Sequence, residues 1–430
     1  MLHDTGAVRM PRRALLAGLV WGEREAWDAN DSLDELARLS DTAGGLAVGR
    51  VLQRRDRPDP ATYFGRGKVD EMQLLQSELN YDLVIVDAEL SPVQQRNLEK
   101  QLECPVTDRP GLIIEIFAQR AGTREAKLQV ELAQLEYQLP RLAGAWTHLE
   151  RQIGGIGTRG GPGETQIELD RRQLRHRIGV VRREIEQVRA HRSRIRARRA
   201  GGTPMVALVG YTNAGKSTLM NRLTNAGVMA ADVLFATLDP TARRIELPGG
   251  GAAVLADTVG FIQKLPTQLI AAFRATLEEL ESADLLLHVV DASHPQALQQ
   301  QQAVQDVLKD LGIQQKPMLR VLNKVDALER VPGPLPDDTV AISAISGFGV
   351  ERLREMIAQR MGNAQPEVEV LVPFKSSGLV ELFRREGYLI DESYTEAGIQ
   401  LHGRLPARLL PRFRRVGRVR EIQKPAEVRR

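Results

Sequence analysis

Apolar residues follow three kinds of pattern along this chain. From residue 14 to 110, short apolar runs alternate with stretches in helical spacing. ALLAGLV (14–20) and LAVGRVL (46–52) predict strands, Val69 to Leu79 a helix, and DLVIVD (82–87) a buried strand. Pro92 sits where the first turn of a helix tolerates proline, with Val93 to Leu102 as the helix. This alternation predicts an α/β subdomain at 1–110 around a largely parallel sheet. The pattern then changes. Leu128, Leu132, Leu135 and Leu139 form one apolar stripe in helical spacing. Leu174, Ile178, Val181, Ile185 and Val188 form a second. Two such stripes predict two long antiparallel helices, a hairpin over 111–202. Between them, GGIGTRGGPG (154–163) has six glycines in ten residues and predicts a flexible tip. Alternation returns from 203 to 362, where MVALVG, AAVLAD, DLLLHVVD, PMLRVLN and VAIS read as strands of a doubly wound, mostly parallel sheet. VEVLVPF and a helix from Gly378 to Glu386 predict a small C-terminal α/β domain at 365–430.

Composition narrows the class. No apolar run reaches the length of a membrane-spanning helix. The opening residues lack the apolar core of a secretory signal, so a cytoplasmic protein is expected. The one cysteine, Cys104, has no disulfide partner and is expected in the core. The net charge of +4 hides an asymmetry. Residues 171–200 carry 12 basic groups against 2 acidic, and 401–430 carry 10 against 2. Two basic blocks on an otherwise acidic chain point to a polyanionic partner. The plainer reading is a solvated arginine face. With aromatics at 4%, base stacking on rings is not supported.

The chemistry centres on Gly210-Tyr211-Thr212-Asn213-Ala214-Gly215-Lys216-Ser217, followed by Thr218. This fits GxxxxGK[ST] between a strand and a helical run. The glycines let backbone amides wrap phosphates, and the helix N-terminus adds its dipole. Lys216 is expected on the β- and γ-phosphates and Ser217 on Mg²⁺. Asp257-Thr258-Val259-Gly260 ends the strand AAVLAD. There Asp257 can hold Mg²⁺ through water, and the Gly260 amide can bind the γ-phosphate. Asn323-Lys324-Val325-Asp326 ends MLRVLN. Asp326 can accept from guanine N1 and N2, a donor pair that adenine lacks, so the motif selects GTP. Asn323 would brace the loop, and Lys324 would stack over the base. Ser343, Ala344 and Ile345 follow the next strand, where the Ala344 amide can meet guanine O6. Between the first two motifs lie Phe235, Ala236, Thr237, Leu238, Asp239, Pro240 and Thr241. A threonine in this switch loop would close on Mg²⁺ and the γ-phosphate, and Thr237 and Thr241 both qualify. Phe261 stands where many GTPases carry a water-orienting glutamine, so the catalytic helper must come from elsewhere. Tyr63-Phe64-Gly65-Arg66-Gly67-Lys68 either cradles a second phosphate or forms a turn.

Long strings outside these motifs resemble the HflX family of P-loop GTPases. They are RRDRPDPATYFGRGKVDE (54–71), DAELSPVQQRNLE (87–99), DRPGLIIEIFAQRAGTREAKLQVELAQLEYQLPRL (108–142) and GGPGETQIELDRR (160–172). The resemblance implies a monomeric GTPase that binds the large ribosomal subunit and splits stalled or vacant ribosomes. It implies slow hydrolysis alone and stimulation by the ribosome, with Lys216, Thr237 and Gly260 as the catalytic set. Likeness to the related Obg-type pattern favours Thr237 over Thr241 as the magnesium ligand. Ribosomal RNA is then expected at the hairpin tip and the adjoining helix. The residues are Arg151, Gly154, Gly155, Gly157, Arg159, Gly160, Gly161, Gly163, Arg171 and Arg172. The rival readings are an RNA-remodelling ATPase and an RNA-binding adaptor away from ribosomes. Asp326 speaks against the first; intact Lys216, Ser217 and Asp257 speak against the second.

Overall fold

Strand β1 (Arg12–Val20) is buried from Ala14 to Val20, as an unbroken apolar run requires of a central strand. The computed structural model describes residues 12–21, 26–142, 162–199, 203–224, 234–235, 241–248, 251–262, 280–331, 333–363, 366–405 and 409–422. The chain divides into two compact units. One comprises Met1–Val188 with Val233–Leu238 and Lys264–Arg274; the other comprises Arg189–Asp232, Asp239–Gln263 and Ala275–Arg430.

In the first unit, β1 is followed by α1 (Ala26–Thr42), β2 (Gly45–Arg54), α2 (Arg66–Leu79), β3 (Leu83–Val86), α3 (Pro92–Leu102) and β4 (Val106–Asp108). The sheet order is β2-β1-β3-β4, with every pair parallel. Helix α3 starts where the sequence says it should: Ser91 and Gln94 form a capping box, and Pro92 opens the first turn. Helix α4 (Arg109–Arg120) buries Leu112, Ile113, Ile116 and Phe117. It crosses the 110/111 boundary expected from the sequence.

A fully buried carboxylate ties the helices to this sheet. Asp108 accepts hydrogen bonds from the amides of Leu90 (3.0 Å) and Gly111 (2.9 Å), from the Tyr137 hydroxyl (2.7 Å) and from Arg141 (3.0 Å). Burial, with Asp108 beside it, pushes the Tyr137 hydroxyl well above the usual phenol range.

The hairpin is unequal. Its first arm is α5 (Arg124–Gln138), fifteen residues long. It is separated from α4 because Thr123 caps it through the Ala126 amide at 3.2 Å. The second arm, α6 (Pro162–Arg199), has 38 residues, roughly 57 Å at 1.5 Å per residue. The expected stripes meet: Leu128 and Leu132 pack with Ile178, Val181 and Ile185, flanked by Leu135, Leu139 and Val188. Pro162 and Gly163, expected in the tip, lie in the first turn of α6. The rest of the tip, including Arg151, Gly154, Gly155, Gly157, Arg159, Gly160 and Gly161, lies outside the described residues.

The second unit holds a six-stranded sheet. Its elements are β5 (Met205–Gly210), α7 (Lys216–Thr224), β6 (Thr241–Glu246), β7 (Ala252–Asp257), β8 (Leu285–Asp291), α8 (Ala297–Asp310), β9 (Met318–Asn323), β10 (Thr339–Ala341) and α9 (Val350–Asn363). The order is β10-β9-β8-β5-β7-β6, parallel throughout except for β6. The two fully buried runs, on β5 and β8, lie side by side at its centre.

The C-terminal domain runs β11 (Glu367–Val372), α10 (Gly378–Glu386), β12 (Tyr388–Thr395), β13 (Gly398–Arg404), α11 (Leu410–Arg414) and β14 (Arg418–Ile422). Its antiparallel sheet has the order β12-β13-β11-β14, the ferredoxin-like βαββαβ arrangement. Val368, Val370, Val372 and Leu401 pack beneath Phe383 and Phe413, whose rings meet edge to face at 5.8 Å. Tyr388 packs against the core of the six-stranded sheet.

Candidate nucleotide-binding site

The loop between β5 and α7 wraps a lysine. The Nζ of Lys216 donates to the carbonyls of Gly210 (3.0 Å) and Tyr211 (2.8 Å). Burial pushes its ammonium down to about 8, with Asp257 acting in the opposite sense. Gly215 adopts φ 90°, and a Cβ there would stand 2.2 Å from the side-chain nitrogen of Asn323. Gly260 is equally confined, since a Cβ would meet Thr212 at 2.9 Å and the Nζ of Lys216 at 3.0 Å. The hydroxyl of Thr212 is buried without a hydrogen-bond partner. Asn213 takes φ 61° and is exposed, while Ala214 is buried.

At the first turn of α7, next to Thr218, the Ser217 hydroxyl donates to Asp257 at 2.9 Å. Thr258 turns away: its hydroxyl donates to the Leu208 carbonyl at 2.6 Å, so it anchors the strand end rather than presenting a hydroxyl to a ligand. Val259 is buried. Phe261 is 2% exposed, and its main chain is stitched to the phosphate loop on both sides. Its amide donates to the Gly210 carbonyl at 3.1 Å, and its carbonyl accepts from the Thr212 amide at 2.7 Å.

Asn323 links two loops. Its Nδ2 donates to the Ala214 carbonyl at 2.8 Å, and its Oδ1 accepts from the Ala344 amide at 3.0 Å. The amide expected at guanine O6 is therefore already engaged. Lys324, at φ 63°, pairs with Asp291 at 2.8 Å. Burial pushes the Asp291 carboxyl up, but hydrogen bonds from Lys324 and Ser293 outweigh it and hold the group below the usual range. Asp326 is exposed in the short helical turn Val325–Ala327. Ser343 is fully buried, and Ile345 is exposed.

Two residues at this site escape sequence reasoning. Arg222 on α7 donates to the carbonyls of Ala344 (3.1 Å) and Ile345, and so clips their loop to the phosphate-loop helix. Its only signal was a basic residue in the last turn of that helix. Asp291 gave a clearer one, a carboxylate closing an apolar strand.

Of the switch loop, Ala236, Thr237 and Leu238 lie outside the described residues. Phe235 groups with the first unit. It is buried at φ 55°, its ring 4.6 Å from that of Phe117 on α4. A bulky apolar side chain follows the available core. Thr241 is the first residue of β6, opposite Asp257 in register. Further back, the Gly65 amide is taken by Gln53 at 2.8 Å, and Lys68 pairs with Glu71 at 2.7 Å. That segment is built as a turn into α2. Cys104 is buried, which pushes its thiol up to about 11.

A glycine loop at the end of the central strand, with the Asn323–Asp326 motif two strands away, defines the class: a P-loop GTPase. Three family models match the chain: GTP-binding GTPase N-terminal (30–118), GTP-binding GTPase Middle Region (120–199) and 50S ribosome-binding GTPase (205–324). The "GTPase HflX" of Lacrimispora saccharolytica is 47% identical over 92% of this chain and 94% of its own. That of Magnetococcus marinus is 48% identical over 90% and 91%. A solved GTP-binding protein from Sulfolobus solfataricus, in complex with GDP, is similar at 24% identity and TM-score 0.43, over 82% of this chain and 99% of its own. The chain belongs to the HflX family of GTPases.

Proposed function

We propose that this GTPase binds the large ribosomal subunit and splits stalled or vacant ribosomes, with GTP and Mg²⁺ setting the switch. The family description over 205–324 and the relatives' name support the ribosomal partner. Phe261 carries the mechanistic part of the reading. A buried ring pinned through its own backbone cannot orient a water molecule, so hydrolysis waits for a group supplied by the partner.

The remaining residues divide the work. Lys216 leaves the carbonyls of its loop for the β- and γ-phosphates, joined by the amides of the loop and of Gly260. The buried Thr212 hydroxyl is a ready donor at the same place. Ser217 donates a hydrogen bond to Asp257, which leaves its oxygen lone pairs for a cation, and hard oxygen donors would suit magnesium. Bound magnesium neutralises charge on the β- and γ-oxygens. Asp257 acts on it through water. Closure over the nucleotide is assigned to Thr237, the threonine that the family pattern favours, while Thr241 opens β6. Asp326 reads guanine N1 and N2, Lys324 covers the base, and O6 meets the amide of Ile345, since that of Ala344 is held by Asn323. Arg171 and Arg172 on α6, with the tip beyond them, meet ribosomal RNA.

The test is GTP turnover by the full chain with and without purified large subunits, alongside co-sedimentation in GDP and in a non-hydrolysable GTP analogue. Slow basal turnover, stimulation by subunits and nucleotide-dependent pelleting are expected. Fast turnover indifferent to subunits overturns the reading.

A further inference from the structure

The C-terminal domain carries arginines of two kinds. Over most of its surface they are neutralised. Arg384 pairs with Glu392 at 2.7 Å, Arg385 with Glu386 at 3.3 Å, and Arg404 with Glu367 at 3.4 Å. Along α11 and β14 they are not. Arg412, Arg414, Arg415, Arg418 and Arg420 occur within nine residues, and all five are exposed. Arg414 pairs with Glu421. The other four make no ion pair among the described residues.

Their placement is ordered by the sheet. Strand β14 pairs only with β11, in antiparallel register, so it forms one edge of the sheet. Val419 faces the core opposite Val370. Its neighbours Arg418 and Arg420 therefore stand on the opposite, helix-free face, roughly 7 Å apart along the strand. Arg412 and Arg415 flank buried Phe413 from the helix layer. The charge thus wraps around the edge of the domain.

The chemistry of this edge selects its partner. Every cation is arginine, the side chain that grips phosphate oxygens through two parallel N–H donors. Val416 is the one large exposed hydrophobic residue on the stretch, too little for insertion into a membrane. The two central strands of the open face present Glu367, Glu369 and Leu371 on β11, and Gln400, His402 and Arg404 on β13. None of them is Phe, Tyr or Trp, and the one ring, His402, is tied to Glu367 at 3.0 Å rather than offered to a base. We propose that the α11–β14 edge is an RNA-binding surface that grips the phosphate backbone of a folded RNA without reading its sequence. It rests on the ribosomal reading only for which RNA it meets.

The experiment uses the full chain carrying R412Q, R415Q, R418Q and R420Q together, beside a second variant with lysine at the same four positions. Fluorescence anisotropy measures binding to two RNA duplexes of about 20 base pairs and unrelated sequence, over roughly 50 to 300 mM salt. The wild type should bind both duplexes alike. The glutamine variant should lose roughly 100-fold at 0.1 M salt, with a salt slope shallower by about three. The lysine variant should keep the slope. GDP affinity and melting temperature should not move in either. An unchanged slope in the glutamine variant overturns the proposal. So does a loss confined to phosphatidylserine vesicles with duplex binding intact. Duplex binding that depends on these arginines, in a protein that fails to pellet with ribosomal subunits, upholds this surface and refutes the ribosomal reading. Pelleting with subunits but no arginine dependence does the reverse.

Discussion

Replacing Asn323 with alanine removes one side chain and uncouples two loops. Asn323 is 2% exposed and makes two hydrogen bonds, to the Ala214 carbonyl and from the Ala344 amide. Alanine leaves both backbone groups buried without that partner. Each such loss costs about 1–3 kcal/mol, and some relaxation of the loops is expected, so about 2–4 kcal/mol is a fair total. The bonds hold the phosphate loop and the base loop in the geometry that nucleotide needs, so the loss should fall on binding. At about 1.4 kcal/mol per tenfold, GDP affinity should drop roughly 30- to 1000-fold. Aspartate is the informative partner. It keeps an acceptor for the Ala344 amide but sets a carboxylate oxygen against the Ala214 carbonyl, so it should not rescue. Titration with a fluorescent GDP analogue measures both variants, and a thermal melt checks that each is folded. A folded alanine variant that binds within threefold of wild type would refute the reasoning.

Four further outcomes follow from the same geometry. Arg222→Ala frees the loop carrying Ala344 and Ile345, and should speed GDP release about tenfold in stopped-flow measurements. Asp326→Asn should move preference from guanine toward xanthine nucleotides, because the amide donates where the carboxylate accepted; competition binding reads this. His288 is buried on β8 and pushed down to about 4, by desolvation first and then by Arg320 and Lys216. Unfolded chains bind its proton from the ordinary value of 6.5 downward, so stability should fall by up to about 3 kcal/mol between pH 6.5 and 4. His288→Leu should flatten that part of a denaturation-against-pH curve. Tyr137→Phe removes one hydrogen bond to the buried Asp108 and should cost the first unit about 2 kcal/mol in urea melts, with GTP affinity unchanged.

Elements with strong local signals were legible in the sequence. The helix at Gly378–Glu386 and the strands MVALVG and AAVLAD fall where periodicity put them. The phosphate loop, the Ser217–Asp257 pair and the Asn323 brace were readable because backbone geometry at strand ends demands those residue types. Three strands of the C-terminal sheet were not foreseen. Tyr388–Thr395 shows no clean alternation, and its pairing carries a register shift between Leu389 and Asp391. Edge strand Arg418–Ile422 is mostly charged, so its strand character comes from pairing with β11 rather than from its own side chains. The start of α5 is set by a single threonine cap, Thr123, a weaker signal than the apolar stripe that follows it. The contact between Phe235 and Phe117 was not legible, because the two lie far apart in sequence.

Charge shows most clearly why a count along the chain differs from a surface. The block 171–200 carries a net +10, more than any other stretch. Part of that charge is used internally. Arg177 pairs with Glu131 at 2.6 Å and Arg182 with Glu136 at 2.7 Å, while Arg124 reaches back to Glu184 at 3.3 Å. These bridges cross the seam between α5 and α6, and as exposed pairs they contribute little stability. Arg172 and Arg175 stay exposed without an ion pair among the described residues, and they remain available to a polyanion. In the C-terminal block the same comparison gives the opposite result. Glu421 is committed to Arg414 and Glu369 stands opposite Arg420 in register, while Arg412, Arg415, Arg418 and Arg420 face solvent with no ion pair among the described residues. How much of a block's charge stays unneutralised is set by which glutamates the fold places within reach.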